Sequence, residues 1–220
     1  MQSTVVERSF NKDNSVFRAW RADLQSTLNN AFNEDIKLWK GYRFIKDEGE
    51  RKETEDKMKK YFPILKDIFI NLAARSSWPN IGSLDMCDFA TKAKIVDNVN
   101  VNISAVDRTF IAANLKVEAS GSAPSNGLKR FEFLEMIVRL SNIKYIEPKI
   151  IKTYPEAVEK LLTECIIPNF TAEPWQEFRD KELWTIDVND LLEANLENLN
   201  KIYCHYLTPT KKALSLDDVK

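Results

Sequence analysis

Glycine is scarce in this chain of 220 residues, at five positions (41, 49, 82, 121 and 127), where average usage is about 7%. Few places can therefore take a positive φ, which argues against folds built on Gly-rich turns, such as β-sandwiches, Rossmann sheets and P-loops. An all-α fold is what remains. An excess of one charge is missing as well: 32 Lys and Arg stand against 33 Asp and Glu, so no sequence-wide field draws in nucleic acid or an anionic membrane surface. No run approaches the roughly 18 apolar residues of a membrane span. The opening MQSTVVERSFNKD has neither a hydrophobic core region nor a small-residue cleavage site, and a cytoplasmic protein is expected.

Metal and nucleophile chemistry is poorly supplied. Cys87, Cys165 and Cys204 form no CxxC pair, and each falls in an apolar helical pattern where a reduced thiol packs as a small hydrophobe. His205 is the single histidine, and no zinc-ligand spacing joins it to the scattered cysteines. Cys204 and His205 cannot work as a nucleophile and base, because neighbours on a helix point about 100° apart. No Gly-rich phosphate loop or nucleophile elbow is present, and Asp217/Asp218 and Glu34/Asp35 read as caps or solvated charges. The chain is expected not to be an enzyme.

What is there is helical periodicity. Residues 1 to 15 read as a polar arm; Phe17, Trp20, Leu24, Leu28 and Phe32 then mark one amphipathic helix. The charged run from Lys46 to Lys60 reads as a solvated helix face, which Pro63 is expected to interrupt or kink before the stripe Ile64, Leu65, Ile68, Phe69 and Leu72. Asp85 is expected to cap a helix bearing Met86, Phe89 and Ala90, and Ser104 with Asp107 to open one bearing Val106 and Phe110. Phe133, Leu134, Ile137 and Leu140 mark the next, and Ala157, Leu161, Leu162 and Cys165 another. Asp187 is expected to cap a long last stripe from Val188 to Tyr206, after which a helix restarts at Ser215. One turn is unstable alone, so this restart belongs either to a longer protein or to a unit that a partner completes.

Three helix starts share a leucine, three residues, an acid and an apolar residue: Leu84–Asp88–Phe89, Leu128–Glu132–Phe133 and Leu214–Asp218–Val219. They recur at near-multiples of one interval, each opening a helix after a break, which is how EF-hands look in sequence. With Asp88 at loop position 12, Gly82 falls at position 6, and Leu84 at position 8, where EF-hand twins pair through a short β-bridge. The ligand positions disagree. Pro79 and Ile81 stand at positions 3 and 5, leaving Ser77, Asp85 and Asp88 as oxygen donors; Lys129 occupies position 9 of the second loop; Leu207, Pro209 and Lys211 hold positions 1, 3 and 5 of the third. Calcium wants six to eight oxygens, so none of the loops is expected to hold it tightly.

On these residues the chain resembles a degenerate EF-hand protein. The phrases RFEFLEMIVRLSNIKY (130–145) and DRTFIAANLKVE (107–118) further resemble a group of EF-hand-like proteins of ciliated single-celled eukaryotes, several of them built into axonemal doublet microtubules. The resemblance implies a structural part in the ciliary axoneme, with tubulin or axonemal proteins as partners; members with working loops would bind calcium, but the ligands here do not match, and no cofactor is expected. The expected architecture is an arm and helix at 1–49, an EF-hand-like helix-loop-helix pair with a short antiparallel β-bridge at 50–147, and helices at 148–220 that end in a partial third unit. Leu84, Phe89, Leu128, Phe133 and Leu214 would do the packing. Trp78, Trp175 and Trp184, in or near breaks beside prolines, are the candidate partner anchors. The alternative is a calcium-responsive regulator that binds weakly through Asp85, Asp88 and Glu132 and opens a groove for a target helix.

Overall fold

The computed structural model describes residues 9–20, 24–76, 78–114, 127–171 and 175–206. The chain divides into two compact units, Asp23–Ala172 and a second formed by Met1–Ala22 with Glu173–Lys220. Boundaries near 49 and 147 therefore fall inside one unit, a correction to the three-part division expected above. The physical reason is packing: helices either side of both boundaries pack together to form a single core.

In the larger unit the order is α1 (Gln25–Leu38), α2 (Glu48–Arg75), α3 (Ser83–Lys92), α4 (Ile103–Asn114), α5 (Arg130–Ser141) and α6 (Tyr154–Lys160). The last two run on as π-helical segments, Asn142–Ile146 and Leu161–Ile166. Helix α5 is the centre. Phe133, Leu134, Met136, Ile137, Val138 and Leu140 are all fully buried, and Glu132, Glu135 and Ser141 are buried with them, so the helix is covered on nearly every side.

Helix α2 begins on Asp47, whose carboxylate accepts from the Glu50 N–H at 2.7 Å, with Glu48 and Glu50 on the positive end of the helix dipole. It runs unbroken through Pro63, contrary to the expected interruption. The proline removes one backbone bond, but Met58, Phe62, Leu65 and Ile68 lie fully buried on either side of it. Four such side chains at about 2 kcal/mol each outweigh the ~3 kcal/mol cost of an interior proline. The expected helix from Phe17 through Phe32 divides instead, because Phe17 and Trp20 belong to the other unit and α1 starts only at Gln25.

Polar ties fix the helices to one another. Arg130 donates to both oxygens of Asp35, joining α5 to α1. Burial nevertheless raises the Asp35 pKa, an effect Arg130 only partly offsets, so the pair orients the two helices more than it stabilises them. Glu159 on α6 accepts from Lys57, Lys60 and Tyr61 on α2. Those donors lower its pKa to about 2, Lys57 foremost. A carboxylate with a depressed folded pKa contributes stability that is present above its unfolded value and lost as pH falls toward the folded one. Acid unfolding of the native chain is thus expected to draw on Glu159 from about pH 4.5 down to about 2. Glu159→Gln should flatten urea-measured stability against pH within that window.

Two expected caps are also corrected. Helix α4 is capped by Asn102, whose side chain accepts from the Ala105 N–H at 2.8 Å, while Asp107 accepts from Ser83 Oγ at 2.9 Å and so ties α4 to α3. Asp85 lies inside the first turn of α3, not at its cap, which is Gly82.

The smaller unit has two short 3-10 turns, Lys12–Asn14 and Val16–Ala19, then α7 (Trp175–Phe178), running on through Arg179–Leu183, and α8 (Ile186–Tyr206). Its core is aromatic: the Trp20 and Trp184 rings meet edge-on with centroids 5.0 Å apart, and Phe17 lies 6.3 Å from Trp184. Lys12 Nζ and Arg179 Cζ stand 5.2 and 5.0 Å from the Trp20 ring centre. Asn189 Oδ1 accepts from the Val16 N–H at 2.9 Å, pinning α8 to the arm. Thr185, not Asp187, accepts the α8 cap bond, from the Val188 N–H. Of the cysteines expected to be buried, Cys165 is; Cys87 is half-buried and Cys204 exposed on α8. Among the described residues, no helix is long and apolar enough to cross a membrane.

Candidate functional site

The site read from the sequence lies where α3 and α5 begin. Ile81 and Leu128 form an isolated antiparallel bridge, each N–H donating to the other's carbonyl, at 3.0 and 2.8 Å. Both side chains are fully buried. The backbones can approach this closely because residue 127 is glycine: a Cβ there would stand 2.7 Å from the Ile81 carbonyl oxygen and 2.9 Å from the Asn80 Cβ. The clash is with backbone, which cannot swing aside. Gly127→Ala is expected to cost about 1–3 kcal/mol, the range of an overpacked site, and this is measurable by urea unfolding.

The bridge corrects one candidate. Leu128 occupies the position expected of it, but its partner is Ile81, and Leu84 is 86% exposed on the first turn of α3. The pattern of an apolar residue, three residues, an acid and an apolar residue also fits Ile81–Asp85–Met86, three residues before Leu84–Asp88–Phe89. Pairing decides between them. In the observed register Ile81 matches Leu128, Asp85 matches Glu132, and Met86 matches Phe133, with Met86 and Phe133 both fully buried. Phe89 is buried too, its ring 6.2 Å from that of Phe133. Leu214 lies outside the described residues.

The three candidate ligands do not converge. Glu132 is buried, and its Oε2 accepts from the Lys129 N–H at 2.8 Å, half of a capping box closing the first turn of α5. Burial raises its pKa, partly offset by that bond and by Lys129 and Lys40. Asp88 is exposed and pairs with Lys92 at 2.6 Å. Asp85 and Asp88 line a cavity of about 170 Å³ together with Arg75 and Lys92, whose charges oppose entry of a metal cation. Among the described residues, no group of three His, Cys, Asp or Glu side chains could hold a metal ion.

The chain matches no protein-family model, no curated protein and no solved structure.

The tryptophans separate into two kinds. Trp78 and Trp175 are 38% and 48% exposed and are available as anchors. Trp184 is only 8% exposed and sits inside the aromatic core of the smaller unit, so it is withdrawn as a surface candidate. Its neighbour in sequence, a break before α8, suggested exposure; Trp20, Phe17 and Lys12, more than 160 positions away, cover it.

Sequence reasoning missed a polar site on the α3–α4 connection. Lys144 is buried, and its ammonium donates to the Ile95 carbonyl at 2.9 Å and to Asp97 at 2.6 Å. The Asp97 carboxylate also accepts the N–H groups of Val99, Asn100 and Val101. Burial disfavours its charge, but Lys144 and the three amides outweigh that and hold its pKa well below the usual carboxylate range. The motif DNVNVN carried the one available signal, an aspartate followed by residues suited to an Asx turn. Nothing local announced a lysine 47 positions away.

Proposed function

We propose that this is a non-catalytic structural protein whose larger unit contains, at 50–147, an EF-hand-like pair retained for its shape, working as a component of ciliary microtubules in contact with tubulin or axonemal proteins. The observation that carries this reading is the use made of the carboxylates. Glu132 closes its own helix through the Lys129 N–H, and Asp88 is neutralised by Lys92. Calcium would have to break the first contact and displace the second, against the charges of Arg75 and Lys92. The bridge then serves to lock two helix starts together, and Trp78 and Trp175 are the side chains offered to a partner. The ciliary assignment rests on the resemblance of 107–118 and 130–145.

Calorimetric titration with calcium is expected to give no saturable heat in the micromolar range. The protein is expected to pellet with microtubules, less so after Trp78→Ala with Trp175→Ala, and to mark cilia when tagged in a ciliated cell. Diffuse signal without pelleting would remove the microtubule assignment. The calcium-responsive regulator remains the second reading, favoured by the matched placement of Asp85 and Glu132 after the bridge. Micromolar calcium affinity would establish it in place of the first.

A further inference from the structure

Helix α8 leaves most of its apolar side chains uncovered. Leu191, Leu196, Leu199, Ile202, Tyr203 and Tyr206 are all exposed, and Asn189 is the one buried residue of the helix. The aromatic core of the smaller unit reaches only its first turns, through Trp184 and Asn189. A continuous apolar strip of this kind on a soluble surface marks an interaction site.

The strip has a coiled-coil period. Leu192, itself half-buried, and the exposed Leu196, Leu199, Tyr203 and Tyr206 are separated by four, three, four and three residues, the alternation of a heptad seam. Charge along the helix is polarised. Asp187, Asp190, Glu193 and Glu197 occupy the first part without a base, and Lys201 and His205 the last part without an acid. A parallel twin would lay acid beside acid, whereas an antiparallel twin lays each acidic half beside the other's Lys201, which on its own helix pairs with Glu197 at 2.7 Å. Four of the five seam positions, Leu192 to Tyr203, map onto one another when reversed about the point between Leu196 and Leu199; Tyr206 falls opposite Asn189, which is buried against the arm. Leu196 then faces Leu199 of the second copy, and Leu192 faces its Tyr203. A two-fold axis requires this self-complementarity.

We propose that α8 is a dimerisation element that pairs antiparallel with the same helix of a second copy of this chain. From Leu192 to Tyr206 the seam runs about 21 Å. It would bury on the order of 1,000 Å² in all, at the lower edge of specific interfaces, so the dimer is weak and concentration-dependent. This inference is independent of the calcium and microtubule assignments.

Sedimentation equilibrium on the full chain tests it, the mass rising from one chain toward two across the micromolar range. Leu196→Glu with Leu199→Glu alters side chains that are exposed in the single chain, and should weaken association by roughly thirtyfold or more. Orientation is read by oxidation in a Cys204→Ser background. Chains carrying Leu192→Cys should crosslink to chains carrying Tyr203→Cys, and neither kind to itself. A single-chain mass at every concentration would overturn the proposal, as would association indifferent to the double substitution. Leu192→Cys chains that crosslink to one another would overturn it too.

Discussion

Replacing Phe133 with alanine is expected to lower the unfolding free energy by about 4 kcal/mol, the middle of the range for deleting a buried aromatic ring. The ring is fully buried at the start of α5, with Phe69 and Phe89 at centroid distances of 6.0 and 6.2 Å. Each tilted aromatic pair adds about 0.5–1.5 kcal/mol beyond area burial, so loss of both contacts pushes the cost upward. Against a total stability of roughly 5–15 kcal/mol, this removes a quarter or more of what holds the domain folded. Urea unfolding followed by tryptophan fluorescence measures it. The paired control is Leu84→Ala, expected within about 0.5 kcal/mol because that side chain is in water. Ile81→Ala should cost about 2–4 kcal/mol. If Leu84 proved the costlier of the two, the register of the bridge would be wrong by three residues.

Lys144→Met should be the next largest effect, at about 3 kcal/mol. The substitution keeps most of the stem and removes the ammonium, leaving the Ile95 carbonyl without that donor and Asp97 without its counter-charge. Removing one partner of a fully buried pair costs about 3–5 kcal/mol; Asp97 keeps 28% of its side chain exposed and retains three amides, which places the value at or below the low end. The pH dependence follows with a definite sign. Asp97 is held below its unfolded pKa, so its contribution is complete above the unfolded value and is lost as pH falls toward the folded one. In Lys144→Met that acid-side loss should shrink, because the principal group lowering the pKa is gone. Adding Asp97→Asn to Lys144→Met should cost less than the two single substitutions summed, the mark of residues that act on one another. A strictly additive double variant would mean that the Lys144 bond to Asp97 contributes nothing to stability.

The helices were legible because their signal is local. Stripes such as Leu65, Ile68 and Phe69, or Phe133, Leu134 and Ile137, repeat at the helical period, and each lies on a buried face. Caps were less so: Ser104 and Asn102 are both competent, and only the approach of Ser83 to Asp107 shows that the aspartate is engaged elsewhere, leaving the cap to Asn102. Pro63 misled because propensity is a local cost, and the core on either side of it is a larger, non-local gain. The candidate site was half legible. Leu128 stands in the bridge and Phe133 is buried, while the partner of Leu128 is Ile81 and not Leu84, because one motif fits twice within nine residues.

By itself, then, the sequence determined an all-α chain and the approximate span of most of its helices. Those properties follow from periodicity and residue type within a few turns. The tertiary structure decided that Ile81 meets Leu128, that Lys144 closes on Asp97, that Trp184 is buried under Trp20, and that α8 keeps its apolar seam in water. Each of these depends on residues tens to more than a hundred positions apart, or on what fails to pack. Pairing across such distances is set by the free energy of the whole core, which no local window of sequence contains.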